Sequence, residues 1–290
     1  MSRLVYINGE LVPHSEAKVS VYDHGLLYGD GAFEGIRVYS GKIFKLGEHL
    51  ARLYHSAHAL MISLPITQDE MEQSVFDLCR RNDVVDGYIR VTVTRGIGLG
   101  LDPRGVKNPT IIIMTDKLAL YPEEMYRDGL HVVTVSTRMT PAQSLEPRIK
   151  SIGKYVANIQ AKIEANRVGA GEGLMLNVQG YVAEGTGDNI FILKGGKAVT
   201  PPAYAGILEG ITRNAVMDLA RGMGIPVEES LFTLFDVYTA DECFMTGTAA
   251  EVIPAVKVDG RAIGSGHPGE ITKRLMEAFR TLTKMEGVPF

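Results

Sequence analysis

The chain has 290 residues, 45% hydrophobic and 22% charged, with a formal net charge of −4; this is long for one hydrophobic core and predicts two domains. No apolar run approaches the roughly 18 residues a membrane helix needs, and lysines and arginines are scattered rather than gathered in a basic stripe. Membrane and nucleic-acid partners are thereby disfavoured, and the expectation is a cytoplasmic protein acting on small molecules. Cys79 and Cys243 lie in apolar periodic segments and read as buried free thiols rather than a disulfide.

In chain order, β-rich runs flank Asn8-Gly9, a hairpin signal because both turn residues tolerate positive φ. Glycines 25, 29, 31 and 35 then mark a segment that turns tightly or approaches something closely. A second hairpin is predicted about Ser40-Gly41, followed by a helix whose Leu46, Leu50, Leu53, Ala57 and Leu60 share one face, with Arg52 off it. Thr67 to Glu70 is a capping-box pattern, ahead of a helix with Met71, Val75 and Leu78 on one side. Strands follow at 88–95 and 110–115. Gly96, Gly98 and Gly100 between them do not make a dinucleotide loop, since no helix begins there.

Pro122 and Gly129 break the strand pattern where two bodies would meet. This gives a small N-terminal α+β domain over 1–118, a linker over 119–130 and a larger C-terminal domain over 131–290. In the latter, a strand at 131–136 leads to Lys150, then to a helix ending near Arg167 with Val156, Ile159 and Ile163 on one face. Hairpins turn at Gln179-Gly180, Gly195-Gly196 and Asp259-Gly260; a helix spans 210–221, and a strand 242–246 runs into Gly247-Thr248. Hairpins mixed with helices predict a mixed α/β class with a largely antiparallel or mixed sheet.

Lys150 is the candidate reactive centre. A lysine between a strand and a helix keeps a neutral amine if it is desolvated or has a cationic neighbour, and a neutral amine can form a Schiff base. Taken alone it reads first as an ordinary solvated lysine at a helix start, since lysines are mostly exposed. The parts an aldehyde cofactor would need occur elsewhere: Gly210 to Thr212 open a helix whose free amides favour phosphate, and Gly247 to Ala250 form a second turn of small residues. Arg52 would complete the cage. Glu184 stands beside two glycines, and Tyr88 and Arg90 share one strand face, suited to a carboxylate. No zinc spacing, nucleophile elbow or Walker loop occurs, so no metal is expected.

Together, residues 25–37, Tyr88 to Arg90, Glu184 to Phe191, Gly210 to Arg213 and Gly247 to Pro254 resemble the signatures of class IV, fold-type IV pyridoxal-phosphate aminotransferases. Within them the likeness is to the branched-chain amino-acid aminotransferases. The resemblance implies a D-amino-acid-aminotransferase-like fold with a barrel-like larger domain carrying the cofactor lysine, and pyridoxal 5′-phosphate bound by Lys150. It places Tyr155 near the ring hydroxyl and Glu184 at the ring nitrogen, where an anion keeps the nitrogen protonated. Arg52, Leu208, Ile211, Thr212, Gly247 and Thr248 complete the cofactor set. For substrate it implies Thr248, Ala249 and Tyr88 on the α-carboxylate, Tyr28, Phe33, Gly35 and Tyr121 as walls, and Arg90 on the distal carboxylate of glutamate or 2-oxoglutarate. It further implies amino acids and 2-oxo acids as partners and at least a homodimer. D-amino-acid aminotransferase, aminodeoxychorismate lyase and a non-catalytic cofactor-binding protein are the alternatives. Lys154 departs from the family's usual asparagine: it either lowers the pKa of Lys150 by like-charge repulsion or is itself the reactive lysine. Asp188 replaces the commoner glutamate.

Overall fold

The computed structural model describes residues 3–117 and 121–290; residues 119 and 120 of the expected linker lie outside the described residues. The chain folds into two compact units, one of Met1–Leu118, Ile149–Lys154 and Thr283–Phe290, the other of Ala119–Arg148 and Tyr155–Leu282.

In the first unit, β1 (Leu4–Ile7) and β2 (Glu10–Pro13) form the hairpin about Asn8-Gly9, both residues having positive φ. A short helix α1 (His24–Tyr28) is closed by Gly29 in the left-handed region, leading to β3 (Gly31–Tyr39) and β4 (Lys42–Ile43). Helices α2 (Leu46–Ala59) and α3 (Gln68–Arg81) precede β5 (Gly87–Thr94) and β6 (Thr110–Asp116). With the short C-terminal strand Val288–Pro289, these strands make one seven-stranded sheet in which β5 lies between β3 and β6. Both members of the capping box at Thr67 form: Glu70 N donates to Thr67 Oγ1 and Thr67 N donates to Glu70 Oε2.

The two-residue period of β5 decides what that sheet presents. Ile89, Val91 and Val93 are fully buried in a core with Leu46, Leu50 and Leu53 of α2 and Met71, Val75 and Leu78 of α3, each such side chain contributing roughly 2–3 kcal/mol. Tyr88, Arg90 and Thr92 therefore point to the opposite face and are only half-buried. The segment 96–100 contains no helix.

The second unit begins with α4 (Glu123–Asp128), β7 (Leu130–Thr134) and α5 (Tyr155–Arg167). It continues through β8 (Glu172–Leu176), β9 (Val182–Gly185), β10 (Asn189–Lys194) and β11 (Lys197–Thr200) to α6 (Ile211–Gly222). Then come β12 (Val227–Glu229), α7 (Leu234–Tyr238), β13 (Glu242–Gly247), β14 (Glu251–Val258), β15 (Arg261–Ala262) and α8 (Glu270–Met285). The sheet runs β12-β11-β10-β13-β14-β7-β8-β9, and a further β9–β10 pairing closes six of these strands into a barrel-like ring. β7 is parallel to both β8 and β14, while most other pairs are antiparallel, so the sheet is mixed.

Two features differ from the sequence expectation. The apolar stripe of α5 faces outward: Val156 and Ile159 are 61% and 60% exposed, whereas Asn158, Ala161 and Ala165 are buried. The Lys150 segment and Thr283–Phe290, both expected in the C-terminal domain, group with the first unit, the latter with Val288–Pro289 paired to β4. For the Lys150 segment the reason is backbone pairing. Phe33 N donates to Lys150 O (3.1 Å), Ile152 N to Gly31 O (2.9 Å) and Gly153 N to Gly29 O (3.1 Å), and Ala32 bridges Ser151. The segment thus lies along the beginning of β3.

Candidate active site

Lys150 is fixed from below by its own backbone, whose NH donates to Ser56 Oγ at 3.2 Å while its carbonyl is held by Phe33. Its side-chain ammonium stands 5.1 Å from the centroid of the Phe33 ring. The Arg90 guanidinium lies over that same ring at 3.5 Å and donates to Thr92 Oγ1 at 3.3 Å. One aromatic ring therefore carries both cations, and its quadrupole tolerates them. Gly35 sits opposite Arg90 in the β3–β5 ladder; a methyl group there would collide with the Tyr88 ring, so glycine is what lets that phenol lie across β3. Tyr28 is 41% exposed, and its hydroxyl accepts from Gly100 N.

Beneath Lys150 is an acid that sequence reasoning missed. Glu34, wholly buried, accepts from Arg52 Nε (2.7 Å) and Nη2 (2.9 Å), and pairs with His49 Nδ1 at 2.7 Å. Burial alone raises such a carboxyl, but Arg52 and His49 outweigh it and hold Glu34 at about 2. Burial also pushes the His49 imidazole below its ordinary value; Glu34 opposes this, and the nearby Arg52 and Lys150 charges reinforce it. The sequence signal was present but faint: a charged residue at a core position of β3, and a histidine three residues before Arg52 on α2.

In the second unit, Glu184 is 5% exposed, and its Oε2 accepts from Leu208 N (2.9 Å) and Asn189 Nδ2 (3.2 Å), which fixes the carboxylate's orientation. Asn189 also donates to Leu208 O at 2.9 Å, tying β10 to the approach to α6. Gly210 is the N-cap of α6, and no side chain caps that end. Ile211 is half-buried and Thr212 buried in its first turn, and a Cβ at 210 would strike Asn189. Half-exposed Gly247 ends β13, and half-exposed Thr248 and Ala249 begin the turn to β14; a Cβ at 247 would strike the Asp188 carboxylate, and Thr246 Oγ1 is buried with no hydrogen-bond partner among the described residues. An uncapped helix end, two glycine cradles and a fixed anion form a donor and acceptor set that fits a phosphorylated pyridine. Tyr155 opens α5, half-buried.

Tyr121 is placed otherwise than a simple wall residue. It is 8% exposed, and its hydroxyl donates to Glu172 Oε2 (2.8 Å) and lies 3.3 Å from Asp188 Oδ2. Glu172 also accepts from Lys162 Nζ at 3.0 Å and from Thr186 N at 2.9 Å. Against its burial, Lys162 and these hydrogen bonds keep Glu172 below the usual carboxylate range. Burial, then the Glu172 charge, pushes Asp188 up to about 7, so the two acids share the cluster by ionising unequally. Lys154 is 4% exposed, while Lys150 is half-buried.

Residues 31–258 match the family described as amino-transferase class IV, and the chain belongs to that family. Its relatives narrow the comparison: it is 41% identical to the branched-chain-amino-acid aminotransferase of Pseudomonas aeruginosa, over 95% of this chain and 91% of that one. A crystal structure of Escherichia coli branched-chain amino acid aminotransferase superposes with a TM-score of 0.95 at 35% identity, covering 98% of this chain and 95% of the other. The branched-chain amino acid aminotransferase from Thermobaculum terrenum, in its PLP form, gives a TM-score of 0.88 at 32% identity, covering 97% and 94%. The fold is accordingly that of the fold-type IV aminotransferases. Among the described residues no helix is long and apolar enough to cross a membrane.

Proposed function

We propose that this chain is a pyridoxal 5′-phosphate-dependent aminotransferase that moves the amino group of L-leucine, L-isoleucine or L-valine to 2-oxoglutarate, giving the branched 2-oxo acid and L-glutamate. The observation that carries this reading is the single Phe33 ring flanked by Lys150 Nζ and the Arg90 guanidinium, an amine and a carboxylate reader held by one apolar surface. When bound, pyridoxal phosphate supplies the electrophilic carbon and the electron sink for loss of the substrate Cα proton.

The remaining chemistry belongs to this chain. Lys150 Nζ removes the Cα proton and returns it in the reverse half-reaction; its fixed backbone confines the amine's reach. Glu184 holds the proton on the ring nitrogen, and Arg52, Thr212, Thr248 and the first amides of α6 hold the phosphate. Tyr88 and the Thr248–Ala249 amides orient the α-carboxylate. Phe33 gives branched side chains an apolar wall, while the stacked Arg90 offers its charged edge to a dicarboxylate.

Incubation with pyridoxal phosphate, L-leucine and 2-oxoglutarate yields L-glutamate on this reading. Turnover only of D-alanine, or pyruvate release from aminodeoxychorismate, overturns it in favour of the corresponding relative. Borohydride reduction followed by peptide mapping places the pyridoxyl group on Lys150; a label on Lys154 overturns the assignment. We further propose a homodimer. Val21, Tyr22, Leu26, Leu99 and Leu101 are exposed on α1, the loop before it and the loop after β5, knitted by Gly98 N to Tyr22 O and Gly100 N to Tyr28 Oη, an apolar surface suited to a second copy. Sedimentation as a monomer at working concentration refutes that part. Cytoplasmic residence fits the two buried, free thiols.

A further inference from the structure

The face of the first unit's sheet that carries Tyr88 and Arg90 also forms a pocket of about 320 Å³, to which Arg3, His14, Asp116 and Lys117 contribute. The ladders explain the gathering. Tyr88 pairs with Asp116 and Arg90 with Met114 across β5 and β6, and β1 then joins β6 on its far side, bringing the N-terminal hairpin alongside. The charges do not balance. The pocket's one acid, Asp116, pairs with Arg3 Nη1 at 2.6 Å, so those two charges offset each other and the excess positive charge is that of Lys117 and Arg90. Arg90 rests on the Phe33 ring and the Thr92 hydroxyl rather than on a carboxylate, and among the described residues the side chains of Lys117 and His14 have no acid within ion-pair distance.

A concave site with an excess of one sign of charge focuses its field outward and raises both the local concentration and the capture rate of a counter-ion. Its size is at the small end for ligand pockets, about 300–1,000 Å³, which suits a five-carbon diacid. The substrates of the proposed reaction differ in just this respect: one has an apolar side chain and the other a second carboxylate. Arg90, flattened on Phe33, serves both, so discrimination in favour of the diacid needs cations that the apolar substrate does not use.

We propose that Arg3 and Lys117, with His14 beside them, form an anion-receiving mouth that captures the dicarboxylate partner of the reaction and delivers its distal carboxylate to Arg90. This inference rests on the aminotransferase reading and assigns the diacid's specificity to residues outside the cofactor site. Arg3 and Lys117 are exposed, so their replacement does not disturb the core.

The test is the holoenzyme carrying Arg3→Gln together with Lys117→Gln. The KM for 2-oxoglutarate rises on the order of 10-fold, in keeping with steering effects of 10–10³, while the KM for L-leucine stays within about 2-fold. The wild-type KM for 2-oxoglutarate climbs as ionic strength goes from about 0.01 M to about 0.5 M, and the variant's does so much less. Calorimetric titration with glutarate, a diacid that cannot turn over, shows the same weakening, and titration with 4-methylvalerate shows none. Diacid and monoacid affinities that fall together, or diacid affinity that does not fall, overturn the proposal. Wild-type protein that binds glutarate through these residues yet forms no glutamate overturns the aminotransferase reading and leaves the mouth standing.

Discussion

Replacing Glu34 by glutamine removes the charge at the centre of the buried trio while keeping its shape. In the native chain this fully buried carboxylate is held at about 2, against an ordinary 4.5, a difference worth about 3 kcal/mol of folding stability. Because the folded value is the lower one, that stability is present above about pH 4.5 and is lost as the pH falls through about 2. Independently, breaking a buried ion pair by removing one partner costs roughly 3–5 kcal/mol, since the Arg52 guanidinium is left without its anion. The two figures agree, and at about 2–4 °C per kcal/mol they give a drop in Tm of roughly 6–20 °C at pH 7. The assay is calorimetric or circular-dichroism melting of the wild type and Glu34→Gln at pH 7, with urea midpoints repeated at stepwise lower pH. The deficit of the variant narrows toward acid as the wild-type carboxylate becomes protonated. A Tm within about 2 °C of wild type at pH 7, or a deficit that does not depend on pH, would refute the reasoning. The same substitution frees the Arg52 fork that Glu34 now fixes, so fluorescence titration also finds weaker pyridoxal-phosphate binding.

Gly35→Ala forces the Tyr88 phenol off β3; it raises KM for amino and oxo acids alike by on the order of 10-fold, the scale of about 1.4 kcal/mol, and an unchanged KM counts against Tyr88 as the carboxylate donor. Asp188→Asn relieves a carboxyl pushed up to about 7. Since its folded value is the higher, the wild type loses stability as pH rises from about 4 to about 7, by up to about 4 kcal/mol, and the variant's stability profile over that range is flatter; parallel profiles refute this. Burial pushes both Cys79 and Cys243 up to about 12, so a thiol reagent at about pH 8 labels neither in the native state and both after denaturation; fast native labelling contradicts the buried placement.

What the sequence revealed was what local chemistry decides. The Asn8-Gly9 turn, the Thr67 box and the alternation through Tyr88 and Arg90 each depend on residues within a turn or a strand of one another, and each formed as read. α8 escaped because its fully packed positions, Thr272, Leu275, Phe279 and Thr283, include two threonines. The 3.6-residue spacing is intact, but the apolar stripe that would announce it is diluted. α5 shows the converse: Val156, Ile159 and Ile163 do mark a helix, yet periodicity says only that a face is apolar, and the small residues Ala161 and Ala165 allow the opposite face to pack.

The site's least legible members are its buried acids, and the physics says why. A carboxylate is expected at the surface unless a partner repays its desolvation. For Glu34 that partner comes from α2, 18 residues on at Arg52; for Glu172 it comes in part from Tyr121, 51 residues earlier. Neither distance leaves a mark on composition or spacing. Lys150 presents the same difficulty in backbone form: three hydrogen bonds to Gly29, Gly31 and Phe33 decide where its segment lies, and backbone groups carry no sequence signature. The glycines do leave one. At positions 29 and 31 a side chain would meet the Gly153 backbone and the Ile152 side chain, so the glycine-rich run that reads only as a close approach is the surface on which the Lys150 segment is laid down.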